Sequence, residues 1–216
     1  PWASDAVNQA YSLGLKPIVR VGQWSRQIRN FADDPTHRNY TSLAQTYRKF
    51  IAAIPRPPDG SNLPVILLNE PNECGEWQCS DGAGIYLDAK TMAAEAASCL
   101  RDLHAAVRSL PLIAVALAPI AYAAPAKCEC AVPSHNPKVN FSQPNDINYI
   151  AAMRAEVPDL WAKADFFTAH TYPFHGQPFT SALGRAGIEN YRTELKAVGR
   201  ASTASFPVAI SETGWF

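Results

Sequence analysis

Two short apolar segments of this chain each end in a glutamate. Residues 65–71 read Val-Ile-Leu-Leu-Asn-Glu-Pro, and residues 207–215 read Pro-Val-Ala-Ile-Ser-Glu-Thr-Gly-Trp. Apolar runs of this length are typical of fully buried strands in a parallel sheet. A carboxylate at the end of such a strand loses hydration, so it needs a compensating partner or a chemical role. Glu70 and Glu212 therefore constrain both the fold and the function of the chain.

The rest of the chain alternates short apolar segments with segments of helical periodicity. We predict five strands, at residues 17–21, 65–70, 112–117, 165–172 and 208–212. The predicted helices occupy residues 6–13, 39–54, 85–110, 146–161 and 187–198. Strands that are apolar on both faces and alternate with helices indicate a parallel α/β sheet, either an open doubly wound sheet or a closed (β/α)8 barrel. No glycine-rich phosphate loop follows a predicted strand, whereas polar residues follow several, so we favour the barrel.

The composition indicates one globular domain over residues 1–216. Of its 216 residues 47% are hydrophobic and 18% charged, and the formal net charge is zero. Such a chain can form a sizeable core and is not of the disordered class. It lacks the basic patch that nucleic-acid binding requires. Its longest apolar run, residues 110–122, contains two prolines and is too short to span a bilayer.

The cysteines and sequons are typical of a secreted, extracellular or cell-wall protein. Four of the five cysteines fall in predicted loops: Cys74, Cys79, Cys128 and Cys130. They fit two disulfides of undecided pairing. Zinc is the alternative, although the spacings Cys-x4-Cys and Cys-x-Cys suit structural zinc poorly. Cys99 lies on the apolar face of a predicted helix and is interpreted as a buried free thiol. Asn39 and Asn140 begin sequons and are candidate glycosylation sites.

Three strand-end motifs, taken together, resemble a known family. The chain contains Asn69-Glu70-Pro71, then His170-Thr171-Tyr172-Pro173, then Glu212-Thr213-Gly214-Trp215. In this order they are similar to clan A of the glycoside hydrolases, and the resemblance spans residues 17–216. It implies a (β/α)8 barrel and a retaining β-glycosidase, with the acid/base glutamate after the fourth strand and the nucleophile after the seventh. Two predicted strands lie between Glu70 and Glu212, as that family pattern requires.

The mechanism that the resemblance implies is double displacement. Glu212 attacks the anomeric carbon while Glu70 gives a proton to the leaving oxygen, and Glu70 then acts as base towards water. Retention requires the two carboxyls to lie about 5–5.5 Å apart, whereas a gap near 9 Å indicates inversion. Neither a cofactor nor a metal is expected.

The resemblance also implies roles for three neighbouring side chains. Asn69 is expected to hydrogen-bond the sugar 2-hydroxyl. Tyr172 is expected to hydrogen-bond the nucleophile, and His170 to line the sugar subsite. His170 and Tyr172 are two residues apart, so they share one face of a strand. The alternatives are a capping role for Asn69 and core packing for the other two.

Four further residues are candidates for substrate binding. Arg20 lies within a predicted buried strand, where a charge needs a partner. Trp24, Trp77 and Trp215 follow predicted strand ends, and aromatic faces at the mouth of a site stack on sugar rings. Core packing is the alternative for Trp24 and Trp77 in particular.

Matching Glu70 to the fourth strand makes residues 17–21 the third, so the first, second and eighth strands have no counterpart. An incomplete barrel exposes unpaired sheet edges. We therefore expect that this chain, which begins at Pro1 without a signal peptide, is a segment of a longer protein or that another segment completes the barrel.

The sequence predicts a retaining glycoside hydrolase acting on a polysaccharide, and β-glucan is the favoured substrate. The Ser-Glu-Thr-Gly-Trp ending resembles β-1,3-glucanases, whereas Asn-Glu-Pro resembles cellulases and mannanases of the same clan. The alternative is a non-catalytic carbohydrate-binding or structural glycoprotein domain on the same barrel.

Overall fold

The computed structural model describes residues 2–22, 32–33, 37–72, 77, 89–121, 146–172, 187–200 and 206–213. Within these ranges the chain has a mixed α/β architecture in which parallel strands alternate with helices. Some residues singled out in the sequence lie outside the described ranges: Trp24, Trp215, Cys74, Cys79, Cys128, Cys130 and Asn140.

All five predicted strands are present. They are β1 (Val19–Val21), β2 (Leu63–Leu67), β3 (Ile113–Leu117), β4 (Phe167–His170) and β5 (Val208–Glu212). The helices are α1 (Trp2–Ser12), α2 (Thr41–Ala52), α3 (Ala89–Val107), α4 (Asp146–Glu156) and α5 (Tyr191–Ala197), with 3-10 turns at Trp161–Lys163 and Ile188–Asn190. None of the helices in the described ranges has the length and apolar character needed to cross a membrane.

The strands form two small parallel sheets. In the first, β2 lies between β1 and β3, and Val65 pairs with both Val19 and Val115. In the second, β4 pairs with β5. The described residues therefore contain five parallel strands, as predicted, and not a full barrel.

No regular backbone hydrogen-bond ladder joins β3 to β4. Individual hydrogen bonds, most of which involve a side chain, hold the two strands side by side. The backbone N–H of Asp165 donates to the Val115 carbonyl at 2.8 Å, and a carboxylate oxygen of Asp165 accepts from the Val115 N–H at 2.7 Å. Arg108 donates to the same carboxylate oxygen at 2.7 Å. Further along, the Thr168 hydroxyl donates to the Leu117 carbonyl at 2.6 Å. These bonds align the two sheets into the strand order β1-β2-β3-β4-β5.

The hydrophobic core lies on both faces of this strand layer. The helices cover one face, and α3 contributes residues at helical spacing that are all fully buried: Met92, Ala96, Cys99, Leu103 and Val107. The opposite face carries a smaller cluster of Ile66, Ala116 and Phe166. Because burial on both faces removes apolar surface from water, the sheet needs the continuous apolar runs seen in the sequence.

Two strands end earlier than predicted. β2 ends at Leu67, three residues before Glu70, because Leu68 takes a left-handed backbone conformation with φ 65°. β4 ends at His170, two residues before Tyr172. Glu70 and Tyr172 therefore lie beyond the ends of their strands rather than on the strands themselves.

The Thr168→Val substitution tests the joint between the two sheets. It keeps the side-chain shape but removes the buried hydrogen bond to the Leu117 carbonyl, so we expect the free energy of unfolding to fall by about 1–3 kcal/mol in urea denaturation. Thr46→Val is the matched control, because the Thr46 hydroxyl bonds the Ser42 carbonyl on the exposed side of α2. Equal small losses in both variants would contradict a structural role for Thr168.

Candidate active site

Six polar side chains meet at the carboxyl ends of the strands. Parallel strands end at the same edge of their sheet, so residues that follow different strands come together there. The group comprises Arg20 on β1, Asn69 and Glu70 after β2, His170 and Tyr172 at and after the end of β4, and Glu212 on β5. All six were candidate site residues in the sequence.

A strained turn carries Glu70. Leu68 and Glu70 both have positive φ angles, 65° and 28°, which cost free energy for residues with a side chain. Such strain persists only where the surroundings hold it. The Leu68 N–H donates to the Val21 carbonyl at 2.9 Å, and the buried Tyr149 hydroxyl donates to the Pro71 carbonyl at 2.8 Å. The turn is thereby fixed to β1 on one side and to α4 on the other.

Asn72 ties the same turn to the segment after β3. This fully buried side chain donates to the Ala121 carbonyl at 2.8 Å and accepts from the Ala121 N–H at 2.9 Å. Neither Asn72 nor Tyr149 was among the residues predicted from the sequence to belong to the site. An asparagine after Asn-Glu-Pro gives no pattern that identifies a buried backbone contact 49 positions away.

A β-bulge turns Glu212 towards the site. Ala169 pairs with Ile210 but His170 pairs with Glu212, so Ser211 is an extra residue in β5. A strand without this insertion would have put Ser211 opposite His170. Bulges of this kind change which face a side chain occupies, and they are common beside functional sites. The bulge therefore places the Glu212 carboxylate opposite the imidazole of His170.

Glu212 is surrounded by hydrogen-bond donors. Arg20 donates to one carboxylate oxygen and the Tyr172 hydroxyl donates to the other at 2.7 Å. Burial by itself raises the pKa of Glu212, but the hydrogen bonds from Arg20 and Tyr172 outweigh it and hold that pKa below its ordinary value. Burial first, and then the bond to Glu212, raise the pKa of Tyr172, so its hydroxyl remains a donor.

Glu70 lies close to Glu212 and shares His170 with it. His170 Nδ1 is 2.5 Å from a Glu70 carboxylate oxygen, and His170 Nε2 is 3.7 Å from a Glu212 oxygen. One oxygen of each carboxylate and one ring nitrogen all lie within 4.8 Å of one another. The two side chains are partly accessible, 17% for Glu70 and 30% for Glu212.

Arg20 connects the two ends of the strand layer. Its guanidinium donates to Asn69 Oδ1 at 2.9 Å as well as to Glu212. The charge within the predicted buried strand thus has its partner, Glu212, on β5. A cavity of about 270 Å³ opens beside this pair, lined by Ile18, Arg20, Ile66, Ile210, Ser211 and Glu212. A larger cavity of about 480 Å³ lies between the end of α3 and residues 157–163, which follow α4, and none of the six site residues lines it.

Two expected roles need correction. His170 does not line a sugar subsite, because its side chain is 0% exposed beneath the two glutamates. Trp77 is also fully buried and lies in the hydrophobic core with its ring 6.3 Å from that of Tyr40, so it has no face open to a sugar. The core-packing alternative describes Trp77.

Asn39, a candidate glycosylation site, lies just before α2 and uses its side-chain oxygen in local hydrogen bonds. It is half-buried just before α2, and its Oδ1 accepts from the Thr41 N–H at 3.0 Å and the Thr41 hydroxyl at 2.7 Å. Glycosylation at Asn39 stays a prediction.

The cluster of Glu70, His170 and Glu212 has the spacing of a possible cation site. However, both oxygens of Glu212 already accept hydrogen bonds, one from the Arg20 guanidinium and the other from the Tyr172 hydroxyl. A cation there would be repelled by the positive charge of Arg20, so we assign no metal to this group.

Comparisons with known proteins add little to these observations. No protein-family model and no curated protein matches the chain. Among solved structures, AbfB, a family 51 α-L-arabinofuranosidase from Bifidobacterium longum, is similar with a TM-score of 0.46 and 13% identity. That similarity covers 99% of this chain, which spans only 39% of the length of AbfB. At this TM-score the likeness carries no argument about function.

The pH dependence of Glu212 tests the donor arrangement. Because the pKa of Glu212 is lower in the folded than in the unfolded state, its ionisation stabilises the fold above the ordinary value of 4.5, and this contribution is lost as the pH falls through the folded pKa. Tyr172→Phe removes one donor, so the Glu212 titration measured by carboxyl NMR should move to higher pH.

The matched control is Tyr11→Phe, because the Tyr11 hydroxyl bonds the Pro55 carbonyl at the other end of the strand layer. We expect no movement of the Glu212 titration in this variant. A Glu212 titration that stays in place in Tyr172→Phe, or moves to lower pH, would contradict the hydrogen bond.

Proposed function

We propose that this chain is the catalytic part of a retaining glycoside hydrolase that cleaves a β-linked polysaccharide. The single observation that carries the proposal is the convergence of Glu70 and Glu212. They follow different parallel strands, and an oxygen of one lies within 4.8 Å of an oxygen of the other. Two carboxyls at such a distance are what double displacement at an anomeric carbon uses.

The short distance favours retention over inversion. Inverting enzymes hold their carboxyls about 6.5–9.5 Å apart, because a water molecule must fit beside the sugar. One oxygen of each carboxylate lies within 4.8 Å of the other, and this close approach supports the retaining arrangement. In the retaining reaction, one carboxylate forms a bond to the anomeric carbon and the other protonates the leaving oxygen.

The surroundings of the two glutamates support distinct roles. Glu212 accepts hydrogen bonds from Arg20 and Tyr172, which favour the carboxylate that a nucleophile needs. Among the side chains of the described residues Glu70 forms a hydrogen bond with the imidazole of His170 alone, and Glu70 is the less exposed of the two glutamates. We therefore assign Glu212 as nucleophile and Glu70 as acid/base, the same roles that the motif resemblance implies.

Two features support binding of a sugar at this edge. Asn69 uses its Oδ1 for Arg20, and no described residue accepts from its Nδ2, which leaves that N–H group for a substrate hydroxyl. The adjacent cavity beside Glu212 is open to solvent along Ile18 and Ile210, which are 49% and 39% exposed. β-Glucan remains the favoured substrate on the motif resemblance, and Trp215 remains a candidate for stacking on the sugar.

Another segment completing the sheet belongs to the same proposal. All residues of β5 are at least partly exposed, whereas every residue of its neighbour β4 is buried. A strand packed on both sides would not leave its apolar residues accessible. Without such a segment the cleft has one open side, and glycan binding without turnover becomes the second candidate function.

The activity test uses the full-length natural protein on β-1,3-glucan, β-1,4-glucan and mannan. We expect Glu212→Gln to lower kcat at least about 10³-fold, because it removes the nucleophile. Glu70→Gln should lower kcat about 10²–10⁴-fold on unactivated substrates. Glu189→Gln is the control, since Glu189 is not one of the six site residues and pairs with Arg192.

The stereochemistry decides the mechanism in the same assay. Proton NMR of the first product should show the β-anomer before mutarotation. The α-anomer would contradict retention. Equal activity of the wild type and Glu212→Gln would remove the nucleophile assignment, and glycan binding without hydrolysis by the wild type would favour the second candidate.

We propose an extracellular location, because polysaccharides are met outside cells and the four loop cysteines suit an oxidising compartment.

Cys99 is buried, and this burial raises the pKa of its thiol. Thiol titration should therefore detect no free thiol in the native protein, one free thiol after unfolding without reductant, and five after unfolding with reductant. Cys99→Ala should remove the single thiol. Five thiols without reductant would contradict the two disulfides.

A further inference from the structure

His170 lies between the two glutamates as a buried link. Its Nδ1 is 2.5 Å from Glu70, its Nε2 is 3.7 Å from Glu212, and the side chain is 0% exposed. Nε2 has no hydrogen-bond partner within 3.5 Å among the described residues, and the Glu212 oxygen is the acceptor towards which it lies. The ring therefore has a carboxyl group at each nitrogen.

A neutral imidazole can satisfy only one of these carboxyls as a donor. It has one N–H and one lone pair, and the partner of one nitrogen determines the state of the other. A bare nitrogen that faces a carboxylate would bring two lone pairs together. A 2.5 Å contact between Nδ1 and Glu70 must therefore contain a proton, either on the nitrogen or on the carboxyl oxygen.

The charged groups around the ring decide between these two arrangements. Arg20 and Tyr172 both donate to Glu212 and favour its ionised form, so the negative charge lies on the Nε2 side of the ring. A carboxylate near Nε2 favours a proton on that nitrogen. With the proton on Nε2, the Nδ1 lone pair faces Glu70, and Glu70 must then be the donor.

We propose that His170 in the resting protein is the Nε2–H tautomer and accepts a hydrogen bond from protonated Glu70 at Nδ1. In this way His170 keeps Glu70 in the acid form and Glu212 in the carboxylate form. His170 is a positioning residue in this arrangement, because it is buried and reaches the substrate only through Glu70. The role of His170 in catalysis rests on the proposed function, whereas the assignment of its tautomer does not.

The direct test is nitrogen NMR of the protein labelled with ¹⁵N-histidine, near neutral pH. The chain has five histidines, and the spectrum of His170→Asn identifies the signals that belong to His170. We expect a protonated Nε2 and an unprotonated Nδ1. A proton on Nδ1, in either the neutral tautomer or the imidazolium, would overturn the proposal. This measurement needs no substrate, so its failure is distinct from failure of the glycosidase assignment.

The kinetic test separates proton delivery from a general structural role. A leaving group such as 2,4-dinitrophenolate departs without a proton, so only substrates with poor leaving groups need the acid. We expect His170→Asn to lower kcat/KM on the glucan roughly 10²-fold but on the 2,4-dinitrophenyl β-glycoside less than about threefold. Equal losses on both substrates would overturn the positioning role.

His104→Asn is the matched control. His104 is also buried, but its Nε2 contacts the Lys163 carbonyl at 3.0 Å, in a part of the fold that contains none of the six site residues. We expect this variant to keep the wild-type ratio of the two rates. If His170→Asn does not fold, the spectrum of the wild-type protein decides, with His170 identified from its contact with ¹³C-labelled Glu70.

Discussion

The hydrogen-bonded ion pair between Arg20 and Glu212 joins the first strand to the last. Arg20 is on β1 and Glu212 on β5, so their contact brings the two ends of the strand layer to one site. It also makes the glutamate pair unequal. Two carboxylates within 4.8 Å resist joint ionisation, and the permanent charge of the guanidinium stabilises the negative charge at Glu212. The different chemistry of Glu70 and Glu212 follows from this asymmetry.

Precise placement of Glu70 depends on a turn that is unfavourable by itself. Positive φ angles at Leu68 and Glu70 cost free energy, and buried hydrogen bonds from Asn72 and Tyr149 hold the turn against that strain. On the other side of the site, the bulge at Ser211 sets the direction of Glu212. The positions of both glutamates thus depend on irregular backbone. The regular packing of the helices against the strand layer supports that backbone.

Much of the fold could be predicted from the sequence because it depends on periodicity. Parallel strands buried on both faces require continuous apolar runs, and α3 requires buried positions at helical spacing, so both patterns are readable. The bounds of β5 agree with the structure at both ends. Five of the six residues of the candidate site could be proposed because the three motifs have a recognisable order, and Arg20 because a charge within a buried strand needs a partner.

The remaining features depend on contacts that periodicity does not contain. The end of β2 is set by a left-handed residue, Leu68, although leucine has no preference for that conformation. The alternation of side chains along β5 does not show in the sequence that Ser211 is an inserted residue. The depth of His170 and the burial of Trp77 depend on which side chains cover them, and the sequence motif is the same for an exposed or a buried ring.

Covalent trapping of the nucleophile tests the central claim most directly. A 2-deoxy-2-fluoro β-glucoside with a good leaving group forms a long-lived glycosyl ester only with a carboxylate that attacks the anomeric carbon. Mass spectrometry of the digested protein should find one sugar on Glu212 and none on Glu70. A sugar attached to any other residue, or hydrolysis of the parent glycoside with no covalent intermediate, would contradict the assignment of Glu212 and Glu70 as a retaining pair.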